Sequence, residues 1–119
     1  MQSILTLHLV VGLLAVIAAL TLVWRLPGRR ITLYLLTFQI LLGLLLLLRL
    51  YRGPLTHILP HVFAAIIAWG LYMAANALTR RQANPRLILG LTVAATVLVM
   101  IAGALGGSMI AHPAGRAGI

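Results

Sequence analysis

Four histidines, His8, His57, His61 and His112, are the side chains best suited to hold a metal in a 119-residue chain that has no Asp, no Glu and no Cys. That inventory removes carboxylate acid–base chemistry, thiolate ligation and covalent attachment of a c-type haem. His57 and His61 form a His-x-x-x-His pair at helical spacing, a pattern compatible with Zn. Without a carboxylate to act as general base, zinc-hydrolase chemistry is not expected from it. What remains is imidazole as the metal-binding group, and the question becomes which elements bring imidazoles together.

Composition sets those elements. Hydrophobic residues make up 63% of the chain and charged residues 8%, against roughly 25% charged in a soluble domain. Lipid is therefore the expected solvent. All nine charges are Arg, and they sit at the ends of apolar runs. Basicity here reads as membrane topology, and nucleic acid is not an expected partner. The first apolar run is too long for a signal-peptide core and lacks a basic region before it, so it reads as a retained span.

A bilayer core of about 30 Å needs roughly 20 apolar residues in a helix. Four segments qualify, at about residues 4–24, 31–51, 55–78 and 87–111, with a short tail at 112–119. Breaks are expected at Arg25-Leu26-Pro27-Gly28-Arg29-Arg30, at Arg52-Gly53-Pro54 and at 79–86. Links this short force antiparallel neighbours. The fold class expected is all-α: one transmembrane domain over 1–119, an up-down-up-down four-helix bundle. Arg25, Arg29, Arg30, Arg80, Arg81 and Arg86 fall on one side, and Arg49, Arg52 and Arg116 on the other. The arginine-rich side is expected in the cytoplasm, with both termini external. Trp24 and Tyr51 fit interfacial positions.

On this topology all four histidines lie in the external half. His8 and His61 are each about one to one and a half turns inside their helices, and the first and third helices are diagonal partners. Both imidazoles are then able to face the bundle axis and clamp a flat macrocycle from opposite sides. Gly12, Gly43, Ala64, Ala65, Gly103, Gly106 and Gly107 place small residues at similar depth, as room for a ring. Arg49, Arg52 and Arg116, with His57 and His112, are candidates for haem propionates; His57 and His112 are also candidates for a second haem, or plain interfacial residues. Pro60 is tolerated in the first turn and helps fix the backbone that presents His61, and Thr56 is a candidate cap. Gln39 is deep enough to need a partner. Asn76, near the cytoplasmic end, is expected to be solvated.

The stretch Phe38-Gln39-Ile40-Leu41-Leu42-Gly43, followed by a turn and His61-Val62-Phe63-Ala64-Ala65, resembles the second and third helices of a haem A synthase half-bundle. In that family each half is a four-helix bundle with one His on its first helix and one on its third, the places His8 and His61 occupy. The family's catalytic half carries a Glu four residues before the first-helix His. Here that position is Ile4, and the family's external cysteines are missing. The resemblance thus implies haem-binding geometry without haem-methyl oxidation. Four-helix membrane cytochromes b are a looser match of the same kind.

The function expected is that of a b-type haem protein for electron transfer, a small subunit of a larger redox complex in a bacterial inner membrane. One haem b, or two, is the expected cofactor, with His8 and His61 as axial ligands. Lipid, neighbouring redox subunits and quinone are the expected partners. A cofactor-free accessory subunit of a respiratory or photosynthetic complex is the alternative. A transporter is disfavoured by the lack of carboxylates, and an enzyme acting on haem or quinone ranks below these.

Overall fold

The computed structural model describes residues 2–49 and 55–111. Over them the chain forms four helices, α1 (Gln2–Thr21), α2 (Leu26–Arg49), α3 (Leu55–Arg80) and α4 (Pro85–Ala111), all four with spans long and apolar enough to cross a bilayer. They pack up and down as a bundle in which sequence neighbours are space neighbours and α4 closes back on α1. The pairs α1/α3 and α2/α4 are therefore the diagonals. Arg52, His112 and the tail, together with Tyr51 and the link between α2 and α3, lie outside the described residues, as does the side chain of His57.

Small residues fill the interior and large ones face out. Ala15, Ala18, Ala19, Ala68, Ala75 and Ala95 are buried, while Leu13, Leu48, Phe63, Ile67 and Leu89 are exposed. Water would penalise this arrangement, since apolar side chains would gain nothing by facing it. Lipid makes it favourable: small residues let backbones approach and raise van der Waals contact, while the outer leucines cost nothing. This is the construction of an integral membrane protein.

Among the described residues, the largest fully buried side chain is a polar one. Tyr72, fully buried, places its hydroxyl 2.7 Å from Thr96 Oγ1. Thr96 lies 2.9 Å from the Thr92 carbonyl and 3.3 Å from that of Ala19. With the Thr96 proton committed to those acceptors, Tyr72 is the donor, and the chain ties α3 through α4 to α1. Tyr72→Phe should therefore lower stability by about 1 kcal/mol without changing the fold, measured as a small drop in Tm in detergent.

The helix ends differ from expectation at the first link. The segment Pro27–Arg30 looks like a loop, yet α2 starts at Leu26 and only residues 22–25 connect it to α1. Pro27 falls in the first helical turn, where its missing N–H has no intrahelical acceptor. Gly28 packs directly over the end of α1: a Cβ there would lie 1.7 Å from the Leu22 carbonyl oxygen. The third link is built from recognisable caps. Gln82 takes a left-handed conformation (φ 54°). The Gln82 and Ala83 amides, each at 3.0 Å, then donate back to the Thr79 and Leu78 carbonyls, the pairing that closes a helix after its last turn. Asn84 Oδ1 accepts the Arg86 amide at 2.9 Å, and Pro85 opens α4.

The tight first link carries Arg29 into the bundle. Its residue is 4% exposed. Nε donates to Asn76 Oδ1 at 2.7 Å, Nη2 to Thr79 Oγ1 at 2.6 Å and Nη1 to the Val23 carbonyl at 3.1 Å. Asn76 is correspondingly buried, 3% exposed, which corrects the expectation of a solvated side chain: it lies one turn inside α3 and is claimed by the guanidinium. Asn76→Leu should cost about 1–3 kcal/mol, because it strands a charged donor. Thermal unfolding in detergent would register that loss, and a variant as stable as the parent would deny Arg29 its anchoring role.

Candidate functional site

His8 and His61 each lie six residues into their helices, about 9 Å along the axis at 1.5 Å per residue. Because α1 and α3 are diagonal, equal depth brings the two side chains together at the bundle axis. Their ring centroids are 6.4 Å apart and the ring planes stand at 85°. A metal bonded at about 2 Å to a nitrogen of each ring would set the centroids about 6 Å apart. The two rings are thus close enough to share one metal, and the same separation is that of an ordinary edge-to-face ring contact.

The outer nitrogens of the two rings are treated differently. His61 Nδ1 lies 2.7 Å from the Ala102 carbonyl oxygen on α4. A carbonyl only accepts, so Nδ1 carries the proton and the lone pair resides on Nε2, the arrangement that orients an imidazole for a metal. His8 Nδ1 is buried with no hydrogen-bond partner, and Gln39 Oε1 on α2 is in the same condition. The Gln39 backbone also neighbours the His8 ring.

The glycines expected to leave room for a ring have nearer occupants. A Cβ on Gly43 would lie 3.1 Å from His8 Cε1, and one on Gly106 would lie 3.0 Å from His61 Cε1. A Cβ on Gly12 would lie 2.6 Å from the Gln39 Nε2, and one on Gly103 would lie 3.4 Å from Val16 Cγ2. These residues hold the imidazoles and let α1 approach α2 and α4. Gly107 has open space beside it. Ala64 is buried and Ala65 half-buried on α3, and Arg49 is exposed at the end of α2. Gly106→Ala should push the His61 ring off its carbonyl and cost about 1–3 kcal/mol by overpacking. Gly70→Ala is the contrast, since nothing lies within 4 Å of its Cβ; it should raise stability by about 0.5–1 kcal/mol through helix propensity alone. Equal melting shifts in the two variants would contradict the cradle.

Among the described residues no group of three or more histidines or other metal ligands converges. A pair of opposed imidazoles is what the site offers, and that donor set suits a metal whose other ligands come with it, as the four pyrrole nitrogens of a porphyrin do. His8 and His61 would hold haem in this way, with Gly43 and Gly106 fixing the ring positions and Ala102 fixing the His61 tautomer.

Sequence reasoning missed the second polar centre, at the opposite end of the bundle. Arg29, Asn76 and Thr79 form it, and a signal was present: Asn76 and Thr79 sit three residues apart on one face of α3, where a helix presents neighbours. Family models, curated proteins and solved structures were all compared with this chain, and none matches it; what the chain is shown to be is a four-helix bundle with four candidate membrane spans.

Proposed function

We propose that this protein is a b-type haem carrier in which His8 and His61 ligate one iron from opposite sides. The observation that carries the reading is the imidazole pair itself, 6.4 Å apart at matched depth in a lipid-embedded core. Polar groups in such a core are costly and persist where they serve a function. Bound haem supplies one-electron chemistry. The chain's part would be to hold the group between the His8 and His61 imidazoles and to bury it away from water. Electrons would pass to quinol or to a neighbouring redox subunit on the histidine side. By arginine count that side is external, in a bacterial inner membrane.

The resemblance to a haem A synthase half-bundle fits this reading through the two histidine positions, while Ile4 in place of the acidic residue points away from the synthase reaction. A cofactor-free accessory subunit is the second reading. It is favoured by one observation: Gln39, Val16 and the imidazoles themselves occupy the space over Gly12, Gly103, Gly43 and Gly106. Reconstitution separates the two. Titrating purified protein with haem b should give a sharp low-spin spectrum saturating at one haem per chain; a featureless titration supports the accessory role.

A further inference from the structure

We propose that the end of the bundle opposite the histidines binds the phosphate of an anionic lipid headgroup, held by Arg29. This inference does not depend on haem.

Arg29 is a buried cation in a chain without a single Asp or Glu. A buried charge is costly unless an opposite charge compensates it. Its three protein partners, Asn76, Thr79 and the Val23 carbonyl, are neutral. They occupy three of the five guanidinium N–H groups, so two remain for a further acceptor. Beside them is a cavity of about 290 Å³ lined by Trp24, Leu26, Arg29, Thr79, Pro85 and Thr92, among others. At about 30 Å³ per water molecule in the liquid, that is room for more than a single ion.

The other polar groups on this wall are already engaged. Thr79 donates to the Ala75 carbonyl, Thr92 to the Ile88 carbonyl and the Trp24 indole to the Leu20 carbonyl. Arg29 is thus the group left with donors to offer. The first residues of α2 and α4, Leu26 and Pro85, both line the cavity, and helix starts favour negative charge. Arg29 is the fourth residue of its helix, about 5 Å from the helix start. That depth lies within reach of the headgroup layer, where a lipid phosphate sits beside its own acyl chains. The apolar remainder of the wall suits those chains.

The test uses the 119-residue protein, delipidated in a neutral detergent. Phosphatidylglycerol, phosphatidylcholine or inorganic phosphate is added; native mass spectrometry counts what is retained, and thermal melting reads stability. Phosphatidylglycerol should be retained at one molecule per chain, at least tenfold in excess of phosphatidylcholine, with a matching rise in Tm. Leu89, exposed on α4, also lines the cavity; Leu89→Trp adds bulk there and keeps Arg29 and every surface arginine, and it should lose the excess while remaining helical. Arg29→Gln should lose it too, and if that variant fails to fold, Leu89→Trp carries the test. Inorganic phosphate that reproduces the Tm rise and displaces the lipid would support the anion site and assign it a free anion. Equal retention of the two lipids, or an undiminished excess in Leu89→Trp, would overturn the proposal.

Discussion

Replacing either His8 or His61 by alanine should abolish the low-spin haem spectrum, whereas His112→Ala should leave it intact. Each substitution removes one axial donor. His61→Ala also removes the side chain anchored to Ala102, 2.7 Å away, and opens space beside Gly106. If the two imidazoles hold a haem, loss of either should make the reduced α and β bands collapse rather than shift. Both variants should still form the bundle, since neither ring belongs to the alanine-rich core around Ala19, Ala68 and Tyr72. Retention of the full spectrum in both would remove the ligand assignment.

Gly28→Val should prevent assembly of the native bundle. The added Cβ would fall 1.7 Å from a backbone oxygen and 2.9 Å from Leu22 Cβ. No rotamer relieves a clash made by Cβ itself, so α2 would have to separate from the end of α1. The same shift would withdraw Arg29 from Asn76 and Thr79, leaving a charge stranded near the bundle interior. The sum should exceed about 4 kcal/mol, the range reserved for combined backbone and buried-polar damage. Loss of a monodisperse peak in detergent, with α-helical content largely kept, is the expected result. A variant that purifies and melts like the parent would show that the first link is not packed this way.

The number and order of helices could be read from the sequence because a membrane span is dictated by length and apolarity alone. Helix ends could not be read so well. Pro27, Gly28 and two arginines in a row carry every mark of a loop, and only the carbonyl of Leu22 explains why a glycine is needed inside a helix. The burial of Arg29 was hidden for a related reason: its two side-chain acceptors lie 47 and 50 residues away, so no local pattern announces them. The pairing of His8 with His61 was legible, since equal depth on diagonal helices follows from topology and the 1.5 Å rise. The role of the small residues was legible only in part. Small residues signal close approach but do not say what approaches, and at Gly43 and Gly106 it is the histidine rings.

The two polar centres divide the molecule. At one end, the His8 and His61 imidazoles meet inside the bundle. At the other, the buried Arg29 guanidinium lines a cavity. Between them the Tyr72–Thr96–Ala19 chain of hydrogen bonds joins α3, α4 and α1, so three of the helices that carry the centres are held in one register.

The most direct test of the central claim is the absorption spectrum of the purified wild-type protein together with its haem-to-protein ratio. A sharp Soret band, reduced α and β bands of a low-spin b-type haem, and a ratio of one are predicted. A homogeneous, stable, colourless protein that takes up no haem on titration would contradict it.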